Sequence, residues 1–290
     1  GRNIDVQIVP IGLNYSDHNN MGAELVINFG KPMDVSEYGD IINDPRSLSK
    51  IKDDLTVEMS SQIIDIKNLD NYTYIHEMMY VFEKDLLTKA NITQRNLPAK
   101  FKAHKTFISK AEAFVQENPS VEREELMKIF KESVDALGLK YWLFEKDRHK
   151  PFLSIVTLVL FSPVHLYGMV NNYLPYKIPV WFVNKKIKDI QFHSSLKMAL
   201  GVVCFFIFWL AQTLIIGNQL PGDWQWAYGL SLPLSGWISY QYWIKLLKTK
   251  GMLTFNKLKK SNNPDFKKLV SQRESFKKDF EVINSLYKAK

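Results

Sequence analysis

Three stretches without a single formally charged side chain dominate the second half of this 290-residue chain. They are "FLSIVTLVLFSPVHLYGMV" from Phe152 over 19 residues, "MALGVVCFFIFWLAQTLIIG" from Met198 over 20, and "WQWAYGLSLPLSGWISYQYWI" from Trp224 over 21. About 20 apolar residues in a helix cross the hydrocarbon core of a bilayer, so segments of this kind have few other stable destinations. The second meets that requirement most fully. The first is interrupted by Pro163 and His165, and the third gathers Trp224, Trp226, Tyr240, Tyr242 and Trp243 at its ends, where an interfacial aromatic belt would stand.

The flanking charges set an expected topology. "NQLPGDWQ", between the second and third runs, carries one acidic and no basic residue, whereas "KKIKD" and "KLLKTKG" on their outer sides are basic. The positive-inside rule therefore predicts a transmembrane hairpin, 198–217 and 224–244, with both ends cytoplasmic. The first run has basic flanks on both sides, "EKDRHK" and "KKIKD", so residues 152–170 are expected as a re-entrant or interfacial segment bent at Pro163. An integral membrane location follows, with the lipid bilayer as a partner and the soluble parts on the cytoplasmic side. The net charge of +8 resides in the tail, where Lys245 to Lys290 holds 13 Lys and Arg against 4 Asp and Glu. Beside apolar spans, such a tail suits an anionic membrane surface rather than nucleic acid. The lone Cys204 excludes an intrachain disulfide, and the sequence has no metal-type Cys/His spacing.

The first half reads differently. "VQIVPIGL" and "AELVINFG" are short, nearly continuous apolar runs separated by turn formers, which predicts strands buried on both faces in an α/β sheet. Pro10 is expected at a strand edge or bulge, and Asp17 and His18 in a solvated turn. The spacing then becomes helical. Leu55, Met59, Ile63 and Ile66 share one face behind an expected N-cap at Asp53 or Asp54; Ile75, Met78, Met79, Phe82 and Leu86 share another. A helix is predicted from near Ser120 to Gly138 with Leu126, Ile129, Phe130 and Leu137 inward, and a last one after Asn263 and Pro264, its apolar residues running from Phe266 to Tyr287. The organisation expected is 1–69 partial α/β domain, 70–150 helical insert, 151–247 membrane region and 248–290 basic amphipathic tail, the tail packing on protein or lying on lipid.

Catalytic motifs are missing. The six histidines show no HxxxH spacing, and none has an aspartate five residues on. There is no glycine-rich phosphate loop, GxSxG elbow or cysteine pair, so neither a catalytic centre nor a metal site is predicted. His165 is a candidate by position, because polar groups at membrane depth are costly.

"IVPIGLNYSD" followed by "AELVINFGKPMDV" resembles the fourth conserved block of the glycerolipid acyltransferases, the family of glycerol-3-phosphate and lysophosphatidic acid acyltransferases. Val9, Pro10 and Ile11 match its Val-Pro-Ile element, and Phe29, Gly30 and Pro32 its Phe-Gly-x-Pro element. "LTVEMSSQIIDI" resembles the helix that follows, and "NYLPYKIPVWFVNKKIKDIQFHSSLKMALG" the C-terminal region of the large glycerol-3-phosphate branch. The resemblance implies an α/β fold and base-assisted attack of the sn-1 hydroxyl of glycerol 3-phosphate on a fatty acyl thioester, carried by coenzyme A or acyl-carrier protein as co-substrate. Val9, Pro10 and Ile11 would then help shape the substrate pocket, with no other cofactor. The family's HxxxxD motif is not in this sequence. Gly1 stands where a methionine would open a reading frame, so the chain is expected to be the C-terminal portion of a longer enzyme, inactive alone, its first strand poorly covered. Lysophosphatidate as acceptor and a non-catalytic membrane scaffold are the alternatives.

Overall fold

The computed structural model describes residues 6–16, 24–38 and 44–285. Asp17, His18 and Tyr287, singled out above, lie outside them. The chain forms two compact units, one built from residues within 1–16, 24–145 and 262–290, the other from Lys146–Ser261.

In the first unit, β1 (Gln7–Ile8) pairs with β4 (Met33–Asp34), and β2 (Ile11–Tyr15) with β3 (Leu25–Phe29), all antiparallel. The α/β domain expected for 1–69 is therefore not what forms: the described chain is 77% helix and 5% strand, with nine α-helices and only these two small sheets. Elsewhere the apolar spacing is helical, so β2 and β3 find no third partner, and a parallel sheet needs several strands with helical crossovers.

α1 (Pro45–Gln62) starts earlier than its apolar spacing suggested. Asp44, not Asp53 or Asp54, is the N-cap, accepting from the Arg46 amide at 3.0 Å, with Pro45 pre-set for the first turn. Its C-terminus meets the strand pair so closely that a Cβ on Gly12 would fall 2.2 Å from the Gln62 carbonyl oxygen; only glycine fits there. The core lies among α2 (Tyr72–Val81), α3 (Glu83–Lys89), α4 (Leu97–Glu117), α5 (Val121–Ala136) and α9 (Pro264–Ser285). Tyr74, Ile75, Met78, Met79, Phe82, Phe107, Phe130 and Phe280 are almost wholly enclosed. In α5 the inward face carries Met127, Phe130 and Val134, whereas Leu126 and Ile129, expected inside, are exposed. α9 buries Phe266, Leu269, Phe276, Phe280 and Ile283 in this core, so its apolar stripe faces protein.

The second unit comprises α6 (Phe152–Lys186), α7 (His193–Ile215) and α8 (Trp224–Lys260) in mutual contact. α6 continues through Pro163 because Ser162 repairs the damage: its hydroxyl donates at 2.8 Å to the Val159 carbonyl, the acceptor that Pro163 cannot reach. Phe152–Lys186 and His193–Gln219 are long and apolar enough to cross a membrane. α7 buries none of its residues, leaving Met198, Val202, Phe206, Leu210 and Leu214 open. In water that surface would be costly, and in lipid it is the expected one.

Candidate functional site

Strand alternation decides what the β2–β3 hairpin presents. Ile11 opposes Phe29, Leu13 opposes Ile27 and Tyr15 opposes Leu25, so six apolar side chains share one face. All six are open, at 38–68% exposure. The opposite face sits on the end of α1, where the Asn14 and Asn28 amides both donate to the Gln62 carbonyl at 2.9 Å. Asn14 in turn accepts from the Ile64 amide at 2.9 Å. The two blocks of the family resemblance are physically joined, because the Gly30 amide donates to the Pro10 carbonyl at 2.8 Å.

Of the predicted pocket residues, Val9 and Ile11 are exposed and Pro10 is buried. They do not line the groove of about 640 Å³ that opens beside Leu86, Lys102, Phe107 and Ser285, between α3, α4 and α9. Its polar lining includes the Lys89–Glu281 ion pair.

A buried ionic centre, not anticipated from sequence, joins α2, α5 and the 3-10 turn Tyr141–Glu145. Glu77, 5% exposed, accepts from Lys131 Nζ at 2.6 Å and Tyr141 OH at 2.7 Å, with His76 Nδ1 at 3.2 Å. Burial alone would raise its pKa, but the hydrogen bonds from His76, Lys131 and Tyr141 outweigh it and hold the carboxyl at about 2. Burial, and then the Glu77 carboxylate, push the Tyr141 phenol above its ordinary range. A signal was present: Glu77 is the one formally charged residue of α2. Glu83 is similar, with Lys100 Nζ at 3.0 Å and His104 Nε2 at 3.2 Å outweighing burial to lower its pKa. Each of these centres ties elements of the helical unit together, Glu77 joining α2 to α5 and Glu83 joining α3 to α4. Glu124 of α5 caps α2 from a distance, accepting from the Tyr74 amide at 2.8 Å.

The second unit has a polar seam. Asn172, 7% exposed, donates to the Gly168 carbonyl at 2.9 Å and to the Leu232 carbonyl at 3.3 Å, and accepts from the Trp209 indole at 2.8 Å. One amide thus links three helices. The Gln212 amide donates at 3.1 Å to the Asn171 carbonyl, the acceptor that Pro175 leaves free. His165 Nδ1 lies 2.8 Å from the Ser239 hydroxyl, and the ring stacks on Tyr242 at 4.1 Å. Gly168 lets α6 and α8 approach, since a Cβ there would stand 2.3 Å from the Ser235 carbonyl oxygen. Small residues and interhelical hydrogen bonds are how helices associate in lipid. Among the described residues, no three His, Cys, Asp or Glu are placed to hold a metal ion. No family model, curated protein or solved structure matches the chain.

Proposed function

We propose that this chain is the membrane-anchored, non-catalytic portion of an acyltransferase of phospholipid biosynthesis, which moves a fatty acyl group from a coenzyme A or acyl-carrier-protein thioester to glycerol 3-phosphate. The observation that carries this reading is the hairpin: its Val-Pro-Ile and Phe-Gly-Lys-Pro blocks are bonded to each other, and its other face displays six open apolar side chains. A face of that kind is stable in water when another protein surface covers it. In this reading the cover is the catalytic part of the enzyme, and Val9, Pro10 and Ile11 border the acceptor site from below. The helices α6 and α7 anchor the protein in the bilayer, with the first unit and the basic segment before α6 on the cytoplasmic side.

The test is acyl transfer. Membranes carrying this chain alone should convert no labelled glycerol 3-phosphate, whereas the product of any reading frame continuous with it upstream should, with activity lost when Ile27 and Phe29 are both replaced by aspartate. Activity in the chain alone, or none in the longer product, would refute the proposal. The predominance of helix over sheet favours a second reading, in which the same face docks a partner protein on a membrane scaffold. An inactive longer product would support that one. For sidedness, single cysteines at Lys188, between α6 and α7, and at Lys259 in a Cys204→Ser background should react with an impermeant maleimide from opposite sides of the membrane.

A further inference from the structure

α6 and α8 run antiparallel along their shared length. Tyr167 meets Ser231, His165 meets Ser239, and further along the His149 amide donates to Asn256 Oδ1 at 3.1 Å while the Asn256 amide donates back to the His149 carbonyl at 2.8 Å. Lys259 Nζ then reaches the Asp147 carbonyl at 2.9 Å. This register lays residues 146–160 beside 245–260. Two basic clusters far apart in sequence become one stem, with nine Lys and Arg and Asp147 as its one acidic residue. Lys146, Arg148, Lys150, Lys250, Lys257 and Lys260 are all exposed. Directly beside them Phe152, Leu153 and Leu160 are open at 71–76%.

Length decides where this stem can lie. The 35 residues of α6 extend about 52 Å at 1.5 Å per residue, against a hydrocarbon core of about 30 Å, so part of the helix must stand outside the core. Lysine ammonium groups are strongly disfavoured within the core, whereas their stems tolerate its boundary. α6 ends in Lys185 and Lys186 and α8 in Lys257, Lys259 and Lys260, so both lysine-bearing ends stand at headgroup level, and the α8 end, beside residues 146–150, is the stem. Exposed apolar residues beside a dense positive charge are the signature of an interfacial surface on an anionic membrane.

We propose that the α6–α8 stem binds anionic phospholipid headgroups of the bilayer that holds α6 and α7. Zwitterionic headgroups offer it no net countercharge, and continuity with the apolar helices makes lipid the occupant rather than a soluble anion. The inference rests on the membrane reading of those helices.

The experiment is lipid selectivity of the full chain reconstituted in phosphatidylcholine vesicles, measured as the motionally restricted fraction of trace spin-labelled phosphatidylglycerol against spin-labelled phosphatidylcholine. At low salt the anionic probe should be favoured by about fivefold, the gain expected of one lysine at a charged surface, and the preference should shrink in about 0.5 M salt. Replacing Lys250, Lys257, Lys259 and Lys260 together by glutamine should abolish it, arginine at the same positions should restore it, and glutamine at Lys267, Lys268, Lys277 and Lys278 of α9 should leave it unchanged. Equal retention of both probes by the native chain would overturn the proposal, as would a preference that survives the stem substitutions or vanishes with the α9 ones. Failure to insert into vesicles would remove the membrane reading and this inference with it.

Discussion

Glu77→Gln isolates the ionic centre of the helical unit while keeping side-chain volume. The carboxyl is lowered from 4.5 to about 2 in the folded chain. For a depressed carboxylate, the stabilisation is fully present above the unfolded value and is lost as pH falls toward the folded one. The span from 4.5 down to about 2 corresponds to roughly 3 kcal/mol at neutral pH, shrinking to about 1 kcal/mol near pH 3. Lys131 is 46% exposed and recovers hydration when its partner goes, which places the loss at about 2–3 kcal/mol. The assay is amide hydrogen exchange of α2 and α5 in the detergent-solubilised chain, corrected for intrinsic rates. Near pH 6 the variant should lose protection by a factor of roughly 30 to 150, the Boltzmann equivalent of that energy, and near pH 3 the two proteins should differ much less. Protection equal within twofold at pH 6, or a gap that persists on acidification, would refute this account of Glu77.

Two packing substitutions address the two units separately. Phe280→Ala removes a ring stacked 4.8 Å from Phe82 and tilted against Phe107 at 5.6 Å, and should cost about 3–5 kcal/mol, read as protease cleavage within α9; Val282→Ala on its exposed side should change cleavage little. Gly168→Leu should drive α6 from α8 at a cost of about 1–3 kcal/mol, read as lost disulfide cross-linking between cysteines placed at 167 and 231. Gly201→Leu is the matched control, because a Cβ there meets nothing within 4 Å, and undiminished cross-linking in the Gly168 variant would show that the close approach is not needed.

Legibility in the sequence followed the range of the interaction. Ile75, Met78, Met79, Phe82 and Leu86 fall inside as their spacing says, because a helical face is a property of a dozen neighbouring residues. The first turns of α1 are not legible in the sequence, since "PRSLSK" has no apolar rhythm and stands largely in solvent, held by the Asp44 cap instead. In α5 the inward face was misphased by one residue, with Met127 buried beside Phe130 while Leu126 stays out; equal hydrophobicity on adjacent positions leaves that choice to the neighbours. The hairpin strands, expected to be doubly buried, show one open face, because a continuous apolar run does not say whether anything covers its second face.

By itself the sequence determined the apolar runs and their basic flanks, the helical faces of the first unit, and the Val-Pro-Ile and Phe-Gly-Lys-Pro blocks, all of which depend on composition and period over short distances. Only the tertiary structure decided that Glu77 is enclosed with Lys131 and Tyr141, that the Asn172 amide joins three helices, and that residues 146–160 and 245–260 form one basic stem. Those partners lie between 37 and 112 residues apart in the chain, and what brings them together is the fit of helix surfaces, which no local pattern encodes.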